Sequence, residues 1–407
     1  MSSNREKNSI AGAGRAPLRD ANRRRVVEEL RRHGTLSRAD LARVMRLSPT
    51  TITALVADLR ESGLVVEEAE RRVTGSHAAR GRPPVLLRLD PSAGGALGID
   101  FGHRHLRVAV ADLSRSVLAE RATGLDVDAA AEESLDAAAA MVEDVLSEAG
   151  MTRDRIVGAG VGLPGPIDAR TGTVGSSVIL PDWVGLRPAE ELERRLGVAV
   201  KVDNDANLGA LGEVFFGAGR GLADVLYVKV SSGIGAGLVL GGRLYHGAVG
   251  LAGELGHVHV REEGHVCRCG NRGCLETVAS TGAVLDALRH AHRADLGVRD
   301  LHALIARGDP GARRVVVDAG RAIGRVLGDH CNVLNPAAIV VGGELSAAGA
   351  PLLDGIRESI DRYAQPAIAQ AVQVLPAALG ERAEVLGALT AIIGDTNRLR
   401  SAGLVGL

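Results

Sequence analysis

Aromatic side chains are scarce, at 2% of the 407 residues, with a single Trp. The interior must therefore be assembled from Ala, Val, Leu and Ile, which dominate an apolar fraction of 46%. No apolar run reaches the roughly 18 residues that a membrane-crossing helix needs. The first 22 residues are polar and Arg-bearing and lack the apolar stretch of a secretory signal. Their Gly, Ala and Ser content suggests a disordered arm over residues 1–18, and the chain is expected in the cytoplasm. Cysteine is nearly absent, with four residues: Cys267, Cys269, Cys274 and Cys331. That excludes a dense disulfide framework, and the clustering of the first three favours a metal over a disulfide in a cytosolic chain.

Net charge is also nearly absent, at −1. It hides an asymmetry: residues 1–90 hold 18 Lys and Arg against 11 Asp and Glu, the rest 30 against 38. A basic head on an acidic body points to a polyanion that meets the head alone, with ordinary solvated charge as the alternative. The length exceeds one ordinary domain and suits two or three.

Helical periodicity begins at Val26, Val27 and Leu30 and stops at His33-Gly34. Ser37, with Asp40 three positions on, forms a capping box for a second helix, whose inner face is expected to be Leu41, Val44 and Met45. Ser48 caps a third helix, Pro49 suits its first position, and Ile52, Leu55, Val56 and Leu59 form its buried stripe. Gly63 ends it, and a strand from Leu64 turns through Glu and Arg to Val73. Residues 19–78 thus read as a winged helix-turn-helix DNA-binding domain, with a small helical protein-interaction module as the competing reading.

Thr50, Thr51 and Thr53 would face outward, small enough for a helix to sit deep in a major groove. Arg46 and Ser48 join them as candidate DNA contacts, and Arg23, Arg24, Arg25, Arg43 and Arg46 as phosphate partners. Residues 79–91 are a stiff basic linker, Arg80-Gly81-Arg82-Pro83-Pro84 at its centre, which could place Arg82 in a minor groove.

The body reads as two similar α/β lobes. Each opens with a Gly-bearing hairpin: Ala96 to Leu113 around Asp100-Phe101-Gly102-His103, and Val225 to Tyr245 around Ser231 to Gly237. Helices are expected over Glu132–Gly150 and Pro188–Gly197, and strands over Ile156–Gly162 and Val198–Val202. Backbone amides at such turns can cradle phosphates, although most such turns merely turn.

The order of motifs is more specific. Gly162-Leu163-Pro164-Gly165-Pro166 and Asp203-Asn204-Asp205-Ala206-Asn207 each follow a strand. Gly253-Glu254-Leu255-Gly256-His257 follows the second hairpin. Next come Cys267-x-Cys269-Gly270-x-x-Gly273-Cys274-Leu275-Glu276 and, near the end, Ile339-Val340-Val341-Gly342-Gly343. The series resembles the ROK family (repressor, open reading frame, kinase) of the actin/hexokinase-like, or ribonuclease H-like, superfamily, over essentially the whole body. With its head, the chain is similar to the family's repressor branch, which includes xylose and N-acetylglucosamine regulators. The resemblance implies one lobe over residues 92–204 plus 385–407. It implies a second over 205–384, with the metal loop and an oligomerisation surface.

His257, Cys267, Cys269 and Cys274 offer one nitrogen and three sulfurs, the donor set of a closed structural zinc site. His259 and His265 compete for the histidine position, and the resemblance favours His257. Cys331 lies in an apolar helical stretch and reads as core. The resemblance further implies a sugar site of Asn204, Asp205, Glu254, His257 and Glu276. In the family's kinases the residue matching Asp205 is the general base; a plain helix cap is the structural alternative. Two readings stand for Trp183: bordering the sugar, or packing.

Family kinases carry Asp-x-Gly-Gly-Thr at the first phosphate turn, whereas this chain has Asp100-Phe101-Gly102-His103-Arg104-His105. Phosphoryl transfer rests on positioning and charge, so the departure should be costly. Asp100, Gly102, Ser232, Gly233, Gly235, Gly342 and Gly343 are accordingly expected as a vestigial nucleotide site, with ATP and Mg2+ not used. The expectation is a sugar-responsive repressor of carbohydrate genes, binding double-stranded operator DNA and a sugar as a homodimer or homotetramer. The alternative is a sugar kinase with a DNA-binding head.

Overall fold

The computed structural model describes residues 15–69, 85–168, 171–175, 178–289, 291–292 and 295–395. Arg82, the wing tip and residues 79–84 of the expected linker lie outside the described residues, while residues 85–89 of that linker form a strand paired with the head's own sheet. Helix α1 (Arg15–His33) starts four residues inside the stretch expected as an arm and carries the cations Arg31 and Arg32 in its last turn, where they suit a helix C-terminus. Strand β1 (Leu36–Ser37) leads into α2 (Arg38–Met45). The capping box forms: Asp40 N donates to Ser37 Oγ at 3.1 Å, and Ser37 N to Asp40 Oδ2 at 3.2 Å. Arg46 adopts a left-handed φ of 55° and ends the helix. Helix α3 (Pro49–Glu61) is capped by Ser48 and buries Ile52, Leu55, Val56 and Leu59. Strands β2 (Val65–Ala69) and β3 (Val85–Leu89) complete a sheet of order β1-β3-β2.

One expected core residue is wrong. Val44 is 45% exposed. At about 100° per residue, Leu41 and Met45 define the face, and the half-buried Ala42 rather than Val44 flanks it on the packed side.

The body lays down one plan twice. Strands β4 (Gly95–Gly102), β5 (His105–Asp112) and β6 (Val117–Gly124) form an antiparallel meander. Helix α4 (Ala131–Ala149), β7 (Ile156–Leu163), α5 (Pro188–Leu196) and β8 (Val200–Asn204) follow. The sheet order is β6-β5-β4-β7-β8, with β7 parallel to both β4 and β8. Helix α6 (Asp205–Phe216) then leads to a second meander, β9 (Val225–Val230), β10 (Ile234–Leu240) and β11 (Arg243–Tyr245).

Helices α7 (Glu276–Ala279), α8 (Thr281–Arg289), α9 (Val298–Ala306) and α10 (Pro310–Leu334) precede β12 (Ala338–Gly342). Helices α11 (Ala350–Tyr363) and α12 (Pro366–Ala371), strand β13 (Gln373–Pro376) and helix α13 (Ala383–Ile393) close the described chain. The second sheet runs β11-β10-β9-β12-β13, the same order as the first.

Two turns differ from expectation. Asp100 and Phe101 belong to β4, and Gly235 and Gly237 to β10, so the turns shrink to residues 103–104 and 231–233. The strand glycines answer to packing: a Cβ on Gly237 would strike Ala206 and Ala210 of α6. The sole Trp packs rather than borders a ligand. Trp183 is fully buried, donates from Nε1 to Val127 O at 2.8 Å, and meets Phe101 edge-on at 5.2 Å.

The lobes meet where α6 and α13 cross. A Cβ on Gly387 would overlap the Leu208 carbonyl, one on Gly212 the Ala383 carbonyl, and one on Gly160 of β7 the Ala388 carbonyl. Glycine is required here by close approach. Gly387→Val is expected to destabilise by about 1–3 kcal/mol through overpacking. Gly124→Val, where nothing lies within 4 Å, serves as control. Urea denaturation midpoints check this; equal midpoints would refute the crossing.

Candidate functional site

Strand β8 delivers its last residues to the head of α6, and the local hydrogen bonding fixes each of them. Asn204 is the N-cap: its Oδ1 accepts from Ala206 N at 2.9 Å, and its Nδ2 donates to Gly165 O at 3.0 Å, tying on the Pro-Gly-Pro loop. Asp203 Oδ1 accepts from Asn207 Nδ2 at 2.8 Å, and its Oδ2 meets His246 Nε2 at 2.7 Å. Asp205 is left facing the cleft at the positive end of a helix, where a carboxylate is favoured.

Asn204, Asp205, Glu254, His257 and Glu276 all line one cavity of about 1080 Å³ between the lobes. Burial pushes the Glu254 carboxyl up; His257 opposes this, and Glu276 and Asp205 add to it. Glu276 is 8% exposed; its Oε2 accepts from Ile234 N at 3.2 Å and its Oε1 pairs with Arg268 Nε at 2.6 Å. Of the expected nucleotide residues, Gly102, Ser232, Gly233, Gly235 and Gly343 line the cavity. Asp100 lies beneath it at 1% exposure, and Gly342 packs against Tyr227.

The four candidate metal ligands converge. One ligand atom from each of His257, Cys267, Cys269 and Cys274 lies within 4.8 Å of the others. His257 Nδ1 is 3.5 Å from Cys267 Sγ, and Cys269 Sγ is 3.7 Å from Cys274 Sγ. Tetrahedral zinc with bonds of about 2.3 Å to sulfur sets two sulfurs about 3.8 Å apart, so donor set and spacing fit. Gly270 and Gly273, with φ of 92° and 69°, let the loop wrap. His259 and His265 are outside the cluster, and Cys331 is buried in the core of the second lobe. With Nδ1 turned to the thiols, His257 Nε2 faces the cleft, 3.6 Å from Glu254 Oε2.

Sequence reasoning missed the charged group at the cleft's centre. Lys229 Nζ meets Asp205 Oδ2 at 2.9 Å and Glu384 Oε1 at 2.8 Å. Burial pulls its ammonium down, but Asp205, Glu384 and Asp100 together hold it well above the ordinary lysine value. A lone Lys in the apolar run Val225–Val230 was the available signal. His105 Nε2 meets Asp100 Oδ2 at 2.9 Å, and its ring fills the space that a Cβ on Gly102 would need. Gly102 thus makes room for an imidazole.

In the head, Thr50 and Thr53 are exposed on α3 and Arg46 beside them. Ser48 and Thr51 are committed to the cap, Oγ to Oγ1 at 2.8 Å, and Thr53 Oγ1 donates to Pro49 O at 2.9 Å. Four of the five expected phosphate partners are engaged within the head. Arg23 pairs with Asp58 at 2.6 Å and Arg43 with Asp40, while Arg24 donates to Asp20 O at 3.3 Å and Arg25 to Met45 O at 3.1 Å.

The ROK family model matches residues 96–394, and a winged helix-turn-helix DNA-binding model matches residues 19–66. The chain belongs to the ROK family and carries a winged helix-turn-helix head. The xylose repressor of Caldicellulosiruptor bescii is 28% identical over 395 residues, spanning 93% of this chain and 96% of that protein. The solved ROK family transcriptional regulator described as a homolog of Escherichia coli MLC superimposes with a TM-score of 0.79. It is 27% identical and covers 96% of this chain and 100% of its own. The ROK glucokinase of Streptomyces griseus, solved with glucose and AMPPNP, is 30% identical with a TM-score of 0.62 over 73% of this chain and 99% of its own.

Hydrogen bonds to Asp100 and to Asp203 raise His105 and His246 respectively, against burial in each case. A raised histidine stabilises the fold fully below the unfolded value of about 6.5 and loses that contribution as pH rises through the folded value. The melting-temperature gap between wild type and the His105→Gln/His246→Gln variant should therefore shrink from pH 6 to pH 9. A constant gap would contradict both pairings.

Proposed function

We propose that this chain is a sugar-responsive DNA-binding transcriptional regulator, acting in the cytoplasm as a repressor of carbohydrate uptake or catabolism genes. The observation that carries it is one cleft holding carboxylates, an imidazole and an amide beside a winged helix-turn-helix head. Planar acceptors and donors of this kind suit the paired hydroxyls of a sugar. Asp205, Glu254 and Glu276 accept from hydroxyls, His257 Nε2 bonds a further one, and Asn204 holds the floor of the site. A homodimer or homotetramer would offer two heads to two-fold-related half-sites of operator DNA. Exposed Thr50, Thr53 and Arg46 face the DNA. The sugar acts by binding one relative pose of heads and lobes more tightly than another. The relatives' repressor names support the same direction.

A structural zinc on His257, Cys267, Cys269 and Cys274 fits this role. All four positions are filled by protein, so the ion braces the loop that presents His257 and Glu276. About one zinc per chain is expected by elemental mass spectrometry. Cys274→Ser should lower both zinc content and sugar affinity. Full zinc retention in that variant would remove Cys274 from the ligand set.

The kinase reading draws on the intact Asp205. It is opposed by Lys229, whose ammonium already donates to Asp205 Oδ2, and by His105, which begins β5 beside the first phosphate turn and bonds Asp100. No ADP release above background is expected from the chain with ATP and a panel of hexoses. Turnover abolished by Asp205→Asn would establish the enzyme instead.

Fluorescence anisotropy of a DNA fragment selected by the chain from a random pool, with and without D-glucose, D-xylose or N-acetylglucosamine, tests the main reading. One sugar should shift the DNA affinity. Glu254→Ala should raise that sugar's Kd by about tenfold or more, the loss of a charged hydrogen-bond partner. Indifference to every sugar would overturn the effector role.

A further inference from the structure

The head and the body meet at the turn between β5 and β6. Leu113 of that turn is fully buried in the head's own core, alongside Val26, Val27 and Leu30 of α1. Arg31 of α1 donates from Nε to Leu113 O at 2.9 Å. Asp112 folds the turn, with Oδ1 accepting from Ser114 N at 2.8 Å, Ser114 Oγ at 2.6 Å and Ser116 N at 3.0 Å. Arg115 completes it with a φ of 72°, a left-handed conformation that non-glycine residues rarely adopt.

Arg115 reaches both ways. Its Nη2 donates to Glu28 Oε1 of α1 at 3.0 Å. Its guanidinium carbon lies 4.2 Å from the centroid of the Phe215 ring, a cation–π contact. The side chain is only 10% exposed. Phe215 is the penultimate residue of α6, whose first residue is Asp205 and whose cap is Asn204. The helix is stiffly held at this far end. Glu213 is fully buried, and its carboxylate accepts from Ala218 N at 2.8 Å, Ala378 N at 3.0 Å and Leu379 N at 2.9 Å. At about 1.5 Å per residue, α6 spans some 16 Å between the cleft and Arg115.

The bonding at the junction is incomplete. Glu28 is shared between two guanidiniums, those of Arg115 and Arg31, and each keeps a buried nitrogen, Arg115 Nε and Arg31 Nη2, with no acceptor among the described residues.

We propose that Arg115 is the positioning residue through which the cleft sets the pose of the DNA-binding head, its guanidinium clasped between Phe215 of α6 and Glu28 of α1. This rests on the reading of the chain as a sugar-responsive regulator. Ligand bound at Asn204 and Asp205 shifts the head of α6, the rigid helix moves Phe215, and Arg115 passes the movement to α1.

The test compares wild type, Arg115→Met and Arg115→Lys. Sugar affinity is read by calorimetry with whichever of D-glucose, D-xylose or N-acetylglucosamine wild type binds. The affinity for the selected DNA fragment is read with and without that sugar. A wild-type change in the range of about 5- to 150-fold is the usual size of such coupling. Arg115→Met should bind the sugar as wild type does while its sugar-induced change in DNA affinity falls below about twofold, and Arg115→Lys should recover part of it. A merely structural role would lower the melting temperature and leave the ratio of DNA affinities intact. Should Arg115→Met fail to fold, Phe215→Leu removes the ring and keeps the ion pair to Glu28, with the same loss of coupling expected. Equal coupling in wild type and variants overturns this inference alone. Sugar binding by wild type with no change in DNA affinity overturns the proposed function as well.

Discussion

Contact without side chains between α6, α13 and β7 is the constraint on which this body depends. Gly160, Gly212 and Gly387 each leave room for a carbonyl of a neighbouring element. Two five-stranded sheets of the same order are thereby held about one pair of crossed helices. Because α6 starts at Asp205, the same crossing that joins the lobes also aims the cleft's carboxylate. Packing and site geometry cannot be varied separately there: a larger residue in the crossing would move the acceptor that faces the ligand.

The electrostatics of the cleft follow from what surrounds that acceptor. Lys229 lies between Asp205 and Glu384 with Asp100 nearby, so a tethered cation balances carboxylates that would otherwise repel one another in a partly dry space. His105 Nε2 bonds Asp100 Oδ2 in the same space. Gly102, Ser232, Gly233, Gly235 and Gly343 share one cavity with Glu254, His257 and Glu276, so the glycine-bearing turns and the carboxylates open into the same space.

Local signals made much of this legible in the sequence. Ser37 with Asp40, and Ser48 with Pro49, announce two helix starts by chemistry that acts within four residues. The thiols of Cys267, Cys269 and Cys274 stand close enough along the chain to mark one loop, and His257 joins them as expected. The order of glycine and carboxylate motifs identified the family. What stayed hidden depends on tertiary partners. Val44 lies on the shoulder of a two-turn helix, where pattern alone cannot say which way the face is turned. Gly235 and Gly237 look like turn residues and are strand residues, because α6 passes over them. Arg23 looks like a phosphate ligand and is bound to Asp58, 35 positions away in the chain. Lys229 and Arg115 carry no motif at all; their partners come from elements that only the fold brings together.

The poverty in aromatic residues has a practical side. The one indole of the chain is sealed inside the first lobe, edge-on to Phe101, one residue past Asp100 on the strand that ends at the cleft. All intrinsic tryptophan emission therefore comes from a single dry environment adjoining the ligand cavity. Any rearrangement of that strand would change its colour or intensity, so the unlabelled protein already contains a spectroscopic gauge of the state of its first lobe.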